Sequence, residues 1–345
     1  MKRIKLPFAA GLEVEFCDRE RAIKQVEGFA ERGTRFPVVV FGPEGCGKTA
    51  WLKQAAELLR GLGYEAIYVD PMRKEFTAHT DVKELVDKFA EAASEAIGAA
   101  QLRLATLAID AVKWLISRWR RGRVAVLVDD AFQAIGLDKA AMYVKSLLGL
   151  TEYPPEGYER IVAIAATSEG LSRADIGRHR WADVTPMWNM SRKGFEELYE
   201  ELPSPKLGFE EAWRLTGGNP YALARLLELD WSLDRIVEGI VEAKKLGSFI
   251  ASLSADERAY LLEAVEDPDS LFVRERVPLL NKLVELNLVV DDVPRREQYL
   301  WIDEPPPERD LELGVGRHVA WQTPLHREAV RRAAAQAARG LRASR

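Results

Sequence analysis

The sequence predicts a doubly wound α/β sheet, then a helical segment, then a C-terminal helix–helix–hairpin unit. Three observations carry this reading. Short β-branched runs alternate with helix-length segments over roughly residues 13–186. Apolar residues recur at three- and four-residue spacing from Ser191 to Leu246. Two further helical segments near the C-terminus precede short strand-like runs. With 47% hydrophobic and 30% charged residues among 345, the chain has ample apolar mass for packed cores, which excludes a disordered or low-complexity protein. That length suggests roughly two or three domains. A net charge of -5 excludes a generic polycation. Cys17 and Cys46 are too few for a disulfide scaffold and read as reduced thiols of a cytoplasmic protein. The longest apolar stretch, Leu102–Trp119, is broken by Arg103, Asp110, Lys113 and Arg118, so it reads as an amphipathic helix and no membrane partner is expected. The basic start Met1–Pro7 is not followed by the apolar run of a signal peptide.

The first strand of the sheet, Val38-Val39-Val40-Phe41, runs into Gly42-Pro43-Glu44-Gly45-Cys46-Gly47-Lys48-Thr49, a complete G-x-x-x-x-G-K-T loop, and then a helix-forming stretch. Glycines let the backbone fold tightly, so several N–H groups point at an anionic phosphate. The helix start near Lys48 adds the positive end of its dipole. Residues Gly42 through Ala50 therefore read as the cradle for ATP or ADP, with Lys48 reaching the β- and γ-phosphates and the Thr49 hydroxyl ligating Mg²⁺. Cys46 contributes its amide rather than its thiol. A chance glycine turn would not be expected to combine the full loop with a strand before it and a helix after it.

The second strand is Tyr64–Val69, closed by Asp70-Pro71, and helices are expected around Asp81–Ala100 and Gln101–Arg120. Val124–Val128 then ends in Asp129-Asp130, a buried parallel strand delivering charge to the ligand crevice. Asp129 is the candidate Mg²⁺ ligand, through water, and Asp130 orients or deprotonates the attacking water. An Asp pair capping a strand is the bland alternative, and the upstream loop argues against it. Ile161–Ala166 ends in Thr167-Ser168, where a hydroxyl suits a sensor of the γ-phosphate in ATPases with an extra strand between phosphate loop and acidic strand; a helix cap explains it equally. Ala182–Thr185 is a short fifth strand.

Helices are expected over Ser191–Leu202, Phe209–Thr216, Pro220–Leu229 and Leu233–Leu246. Thr216-Gly217-Gly218-Asn219-Pro220 ends one helix on glycine and starts the next on an Asn cap with Pro at its first position, which local chemistry explains without a ligand.

The order Phe16-Cys17-Asp18-Arg19-Glu20-Arg21, phosphate loop, Asp129-Asp130, Thr167-Ser168, Asp183-Val184-Thr185-Pro186 and Gly217–Leu223 resembles the archaeal ATPase group of the STAND class, relatives of AAA+ proteins, over about residues 13–247. The resemblance implies a P-loop sheet of the ASCE type, residues 1–190, a helical lid, 191–247, and a winged-helix domain, 248–345. It implies that Arg19, in an R-E-x-E motif whose last Glu is here Ala22, contributes to the adenine pocket and that Pro220 packs on the base. Such a contact would make lid position a two-state element. Arg173, Arg178 and Arg180 are candidates for an arginine finger.

The C-terminal region reads as helices over Ser254–Glu266 and Val277–Leu286, with Leu288-Val289-Val290, Tyr299–Ile302 and His318–Trp321 as wing strands. The second helix carries Asn281, Lys282 and Glu285, a poor set for reading DNA. The tail is basic, with Arg327, Arg331, Arg332, Arg339, Arg342 and Arg345 against Glu328, which suits a DNA patch or, equally, a solvated alanine-rich helix docking on the wing. The favoured reading is a slow Mg-ATP-dependent switch that contacts a protein partner or itself through the lid and winged helix. The alternatives are a DNA-binding protein resembling archaeal replication initiators and a nucleotide-held scaffold without turnover.

Overall fold

The β-branched runs read from the sequence pair into one sheet because their side chains are buried on both faces, as parallel strands require. In this computed structural model, residues 2–80, 82–96, 98–118, 122–136, 139–154, 158–167, 176–177 and 180–343 are described. A hairpin of β1 (Lys5–Ala9) and β2 (Leu12–Glu15) precedes α1 (Glu20–Arg32). The alternation then runs β3 (Val38–Phe41), α2 (Lys48–Gly61), β4 (Glu65–Asp70), β5 (Glu75–His79), α3 (Lys83–Ser94), α4 (Ala99–Arg118), β6 (Arg123–Asp129), α5 (Ala131–Ile135), α6 (Ala140–Glu152), β7 (Arg160–Ala166) and β8 (Asp183–Pro186). The sheet order is β5-β4-β6-β7-β3-β8, parallel throughout except for the antiparallel edge strand β5.

Period-two alternation divides the core. Val39, Ile67, Val126 and Val128 pack under α3, α4, α5 and α6, whereas Val38, Val40, Tyr68 and Leu127 pack under α1 and α2. The phosphate-loop strand β3 lies between β7 and β8, so the acidic strand β6 is separated from it by β7, the insertion expected from sequence.

Beyond the sheet come α7 (Arg192–Glu200), α8 (Phe209–Thr216), α9 (Pro220–Glu228), α10 (Leu233–Ala243), α11 (Leu246–Ser252), α12 (Ala255–Glu266) and α13 (Val277–Glu285). Ser254 and Glu257 close a capping box on α12. Two two-residue strands, β9 (Val289–Val290) and β10 (Ala320–Trp321), pair antiparallel before the tail helix α14 (Pro324–Ala343). Lid and C-terminal helices share one core, in which Phe195, Leu223 and Ile236 join Leu261, Leu283 and Leu325.

One expectation for the C-terminal region is corrected. Tyr299–Ile302 is not a wing strand: Gln298–Leu300 is a 3₁₀ turn, and Ile302 makes a parallel bridge to Met187, just past β8. Burial decides this, because Trp301 packs edge-on against Trp188 and Ile302 enters the core under α1 and α2. The basic tail helix is docked on the neighbouring segments, as one of its two readings has it. Arg327 donates to the carbonyls of Leu311 and Glu312, Arg331 pairs with Glu328 and Glu266, and Arg332 pairs with Glu328 and Asp234. Arg339 is exposed, and the side chains of Arg342 and Arg345 lie outside the described residues. No helix among the described residues is long and apolar enough to cross a membrane.

Candidate nucleotide site

The phosphate loop leaves the carboxyl end of β3 at Gly42, whose φ of 153° carries the backbone against the neighbouring chain; a Cβ there would lie 1.9 Å from the Met187 carbonyl. The loop ends at Gly47, the N-cap of α2. At this helix start the N–H groups of Lys48, Thr49 and Ala50 have no earlier carbonyl within the helix, and the dipole is positive. The Lys48 amine is folded back over the loop, donating to the carbonyls of Gly42 and Pro43 at 2.9 Å each.

Three consecutive peptide planes of the loop are fixed from outside. Asn219 Nδ2 donates to the Glu44 carbonyl at 2.9 Å, the Tyr221 N–H to the Gly45 carbonyl at 3.3 Å, and the Arg19 guanidinium to the Cys46 carbonyl at 2.5 Å. In a trans peptide the N–H points opposite to the C=O. Pulling these carbonyls outward therefore turns the N–H groups of Gly45 and Gly47 into the hollow of the loop, the nest an anion needs, while the Cys46 N–H between them donates to the inward-facing Pro43 carbonyl at 3.2 Å. Gly45 has a φ of 74°, and a Cβ on it would meet Tyr221 Cβ at 2.4 Å, so glycine is required for the lid to approach this closely.

The acidic half lies at the ends of β6 and β4. Asp129 is 1% exposed; Tyr68 donates its hydroxyl to Asp129 Oδ2 at 3.2 Å, and the Thr49 hydroxyl is also hydrogen-bonded to this carboxylate. Burial, then the neighbouring Asp130 charge, push the Asp129 carboxyl up to about 7, against the pull of the Thr49 hydrogen bond. Asp130 takes a left-handed conformation, φ 44°, with its N–H on the Ala166 carbonyl at 3.0 Å. Burial likewise raises the carboxyl of Asp70, at the end of β4. Thr49 and Asp129, the two candidate metal ligands, thus meet as a hydroxyl and a carboxylate. This hard oxygen set fits Mg²⁺, and the nest beside it fits the phosphates.

Residues 16–226 match the family described as an ATPase domain predominantly from Archaea. The chain belongs to that family. No curated protein matches the sequence. Among solved structures, the Aeropyrum pernix ORC1 protein in complex with DNA is 17% identical, covering 93% of each chain at a TM-score of 0.36. The Aeropyrum pernix ORC2 protein is 13% identical, covering 93% of this chain and 94% of its own, at a TM-score of 0.45. Cdc6p from Pyrobaculum aerophilum is 13% identical, covering 92% and 94%, at a TM-score of 0.37. These likenesses concern general layout alone.

In this member of the archaeal ATPase-domain family the other sequence candidates fall around the same crevice. Thr167 is buried at the end of β7 with its N–H on the Val40 carbonyl at 2.9 Å, one strand from the loop. Pro220 opens α9, its ring 3.9 Å from where a Cβ on Gly47 would lie. Arg19 is 3% exposed, and its guanidinium is engaged by protein: besides Cys46 it reaches the carbonyls of Trp188 at 2.9 Å and Asn189 at 3.5 Å and the Asp303 carboxylate at 2.9 Å. Burial is the largest influence and opposes its charge, but Asp303, with smaller contributions from Cys46 and Asp18, outweighs it and the guanidinium is held above its ordinary value. Ser168, Arg173 and Arg178 lie outside the described residues, and Arg180 is exposed.

Sequence reasoning missed five participants. Asn219 was legible only as a helix cap, yet it also bonds the loop and Asn189. Tyr221 stood in the Gly217–Leu223 segment of the resemblance without a role of its own, and Asn189 carried no pattern. Asp303 and Gln322 come from the C-terminal region, where Gln322 Oε1 accepts the Glu44 N–H at 2.7 Å. No spacing rule connects positions that far apart.

Proposed function

We propose that this chain binds Mg-ATP, hydrolyses it slowly to ADP and phosphate, and works as a switch of the STAND type whose nucleotide state sets the position of its lid and C-terminal region. The observation that carries this reading is the outward pinning of three loop carbonyls, two of them by the lid residues Asn219 and Tyr221. A lid that shapes the phosphate nest responds, by reciprocity, to what occupies it.

In this reading the amides of Gly45 to Ala50 bind the phosphates, the Cys46 N–H and the Lys48 amine both leaving the Pro43 carbonyl, and Lys48 also the Gly42 carbonyl, to do so. Thr49 and Asp129 hold Mg²⁺, which neutralises charge developing on the phosphate oxygens. Asp130 orients the attacking water and accepts its proton, and Thr167 places that water or the γ-phosphate. Pro220 lies against the base, and Arg19 supports the pocket from behind the loop rather than by direct contact. The buried free thiols of Cys17 and Cys46 suit a reducing compartment. A DNA-binding role draws little support from the tail, since Arg327, Arg331 and Arg332 are engaged internally. The partner is a protein or a second copy met through the lid and C-terminal helices.

The test is the thermal midpoint with and without Mg-ATP and Mg-ADP, for wild type, Lys48→Ala and Asp130→Asn, with phosphate release followed in parallel. At 100 times its Kd a ligand of the folded state adds about 2.7 kcal/mol. A shift lost in Lys48→Ala, with slow release abolished in Asp130→Asn while binding persists, is the expected result. Absence of any shift in the wild type overturns the reading, and a shift without release favours a nucleotide-held scaffold or an ATPase awaiting an activator.

A further inference from the structure

We infer that Asp303 is a positioning residue of the nucleotide site, acting through Arg19 on the Cys46 carbonyl, and that nucleotide binding in turn tightens the segment 301–303 on the core. The inference rests on the reading of the loop as a nucleotide site and adds to it a residue well outside the part of the chain that matches the ATPase family.

The argument begins with a buried charge. The Arg19 guanidinium is 3% exposed and lies behind the phosphate loop, and the carboxylate that neutralises it, Asp303, is 2% exposed and 284 positions away. The other acceptors of Arg19 are all neutral carbonyls. A guanidinium in such a place tolerates burial only while its counter-ion is present. Arg19 itself takes a left-handed conformation, φ 66°, at the N-cap of α1, which aims its side chain under the loop instead of outward. Asp303 therefore fixes where the guanidinium sits. The guanidinium fixes the Cys46 carbonyl, and that carbonyl fixes the direction of the Gly47 N–H on the opposite side of the same peptide plane.

Asp303 is held as firmly as it holds. Its second carboxylate oxygen accepts the Ala22 N–H at 3.3 Å, and its own N–H donates to Gln25 Oε1 at 3.0 Å. Gln25 Nε2 returns a bond to the Trp301 carbonyl at 2.8 Å, and the Ile302 N–H reaches the Pro186 carbonyl at 2.8 Å. The segment is thus stitched to α1 and to the end of β8, the elements that flank the loop. A second contact from the same region acts on the next part of the loop. Gln322 takes the Glu44 N–H outward, so the Pro43 carbonyl of that peptide faces inward, where it holds the Lys48 amine. Two C-terminal residues thus set two peptide planes of one phosphate loop.

The test uses the full chain. Affinity for Mg-ADP is measured by calorimetry, together with the thermal midpoint, for wild type, Asp303→Asn and Gln25→Ala. Amide exchange of residues 301–303 is followed in the wild type with and without Mg-ADP. Asp303→Asn keeps the shape and an acceptor but removes the charge, and the expected loss is about tenfold in affinity, the scale seen for supporting residues of other sites. Gln25→Ala loosens the same segment without stranding a buried charge, and a smaller loss in the same direction is expected. Exchange at Ile302 and Asp303 slows when Mg-ADP binds. If Asp303→Asn is folded and binds within twofold of wild type, or if exchange at 301–303 is indifferent to nucleotide, the inference is overturned. Should Asp303→Asn fail to fold, unchanged affinity in Gln25→Ala together with indifferent exchange overturns it instead. A wild type that binds no nucleotide removes the underlying reading, a result distinct from either.

Discussion

The Tyr68 hydroxyl reaches across from β4 to donate to Asp129 on β6 at 3.2 Å, both side chains being essentially closed to solvent. Burial and the Asp129 charge push the phenol well above its ordinary range, so it stays a donor at any accessible pH. With one carboxylate oxygen held by this phenol, the rotamer of the candidate metal ligand is set before any cation arrives. Tyr68→Phe removes the donor with little change in volume. The expected cost in stability is about 1–2 kcal/mol, because the lost bond was made to a carboxylate. The half-saturating Mg²⁺ concentration for phosphate release should rise several-fold, whereas affinity for nucleotide without Mg²⁺ should be unaffected. A titration of turnover against Mg²⁺ checks this, and an unchanged midpoint would show that Thr49 alone orients Asp129.

Two glycines give opposite expectations. Gly42 has its backbone against Met187, and a Cβ would come within 1.9 Å of that carbonyl. Met187 is itself bonded to Phe41 at 2.8 Å, so it cannot retreat without opening the sheet. Gly42→Ala should cost about 2 kcal/mol or more and abolish the nucleotide-dependent shift. Gly61, at the end of α2, has nothing within 4 Å of its added Cβ. Gly61→Ala should leave stability unchanged or raise it by up to about 1 kcal/mol through helix propensity alone. Thermal midpoints with and without Mg-ATP separate the two, and equal behaviour would contradict this account of the loop.

Legibility followed the reach of each interaction. The Val38–Phe41 strand, its loop and Asp129-Asp130 could be read because residue type, spacing and position on a strand end are local properties. The edge strand β5 could not: Glu75–His79 has no apolar run, and its pairing with β4 depends on a turn in which Lys74 takes a φ of 56°. Tyr299–Ile302 has the composition of a strand, yet its burial against α1 and Trp188 decides its conformation, and this is tertiary information. Arg19 was legible through resemblance, but its partner Asp303 was not, since an isolated Asp in an acidic stretch looks solvated. The same limit applies to the tail, where Arg327 and Arg332 read as a basic face until their acceptors are in place.

The C-terminal region carries a dependence on pH whose direction can be worked out in two steps. His326 is half-buried, with Nδ1 at 2.8 Å from the Thr323 hydroxyl; burial of the ring and then the Lys244 charge push its pKa down to about 4. Between its unfolded value near 6.5 and this folded value the unfolded chain binds more protons. Stability from this group is therefore complete above about pH 6.5 and is lost as pH falls toward 4. Asp269 behaves as an acid with the same sign in a lower window. Burial raises its carboxyl, but the N–H groups of His318, Arg317 and Val319 outweigh this and hold it below the ordinary carboxylate range. Its contribution is present above the unfolded value of 3.8 and disappears as pH drops below it. The raised carboxyl of Asp129 has the opposite sign, gaining stability as pH falls from about 7 toward 3.8. The two contributions are therefore read in thermal midpoints as differences from wild type: His326→Gln loses less stability than wild type between pH 6.5 and 4, and Asp269→Asn loses less below 3.8. A His326→Gln variant whose midpoint runs parallel to that of wild type between pH 6.5 and 4 would show that His326 carries no such dependence.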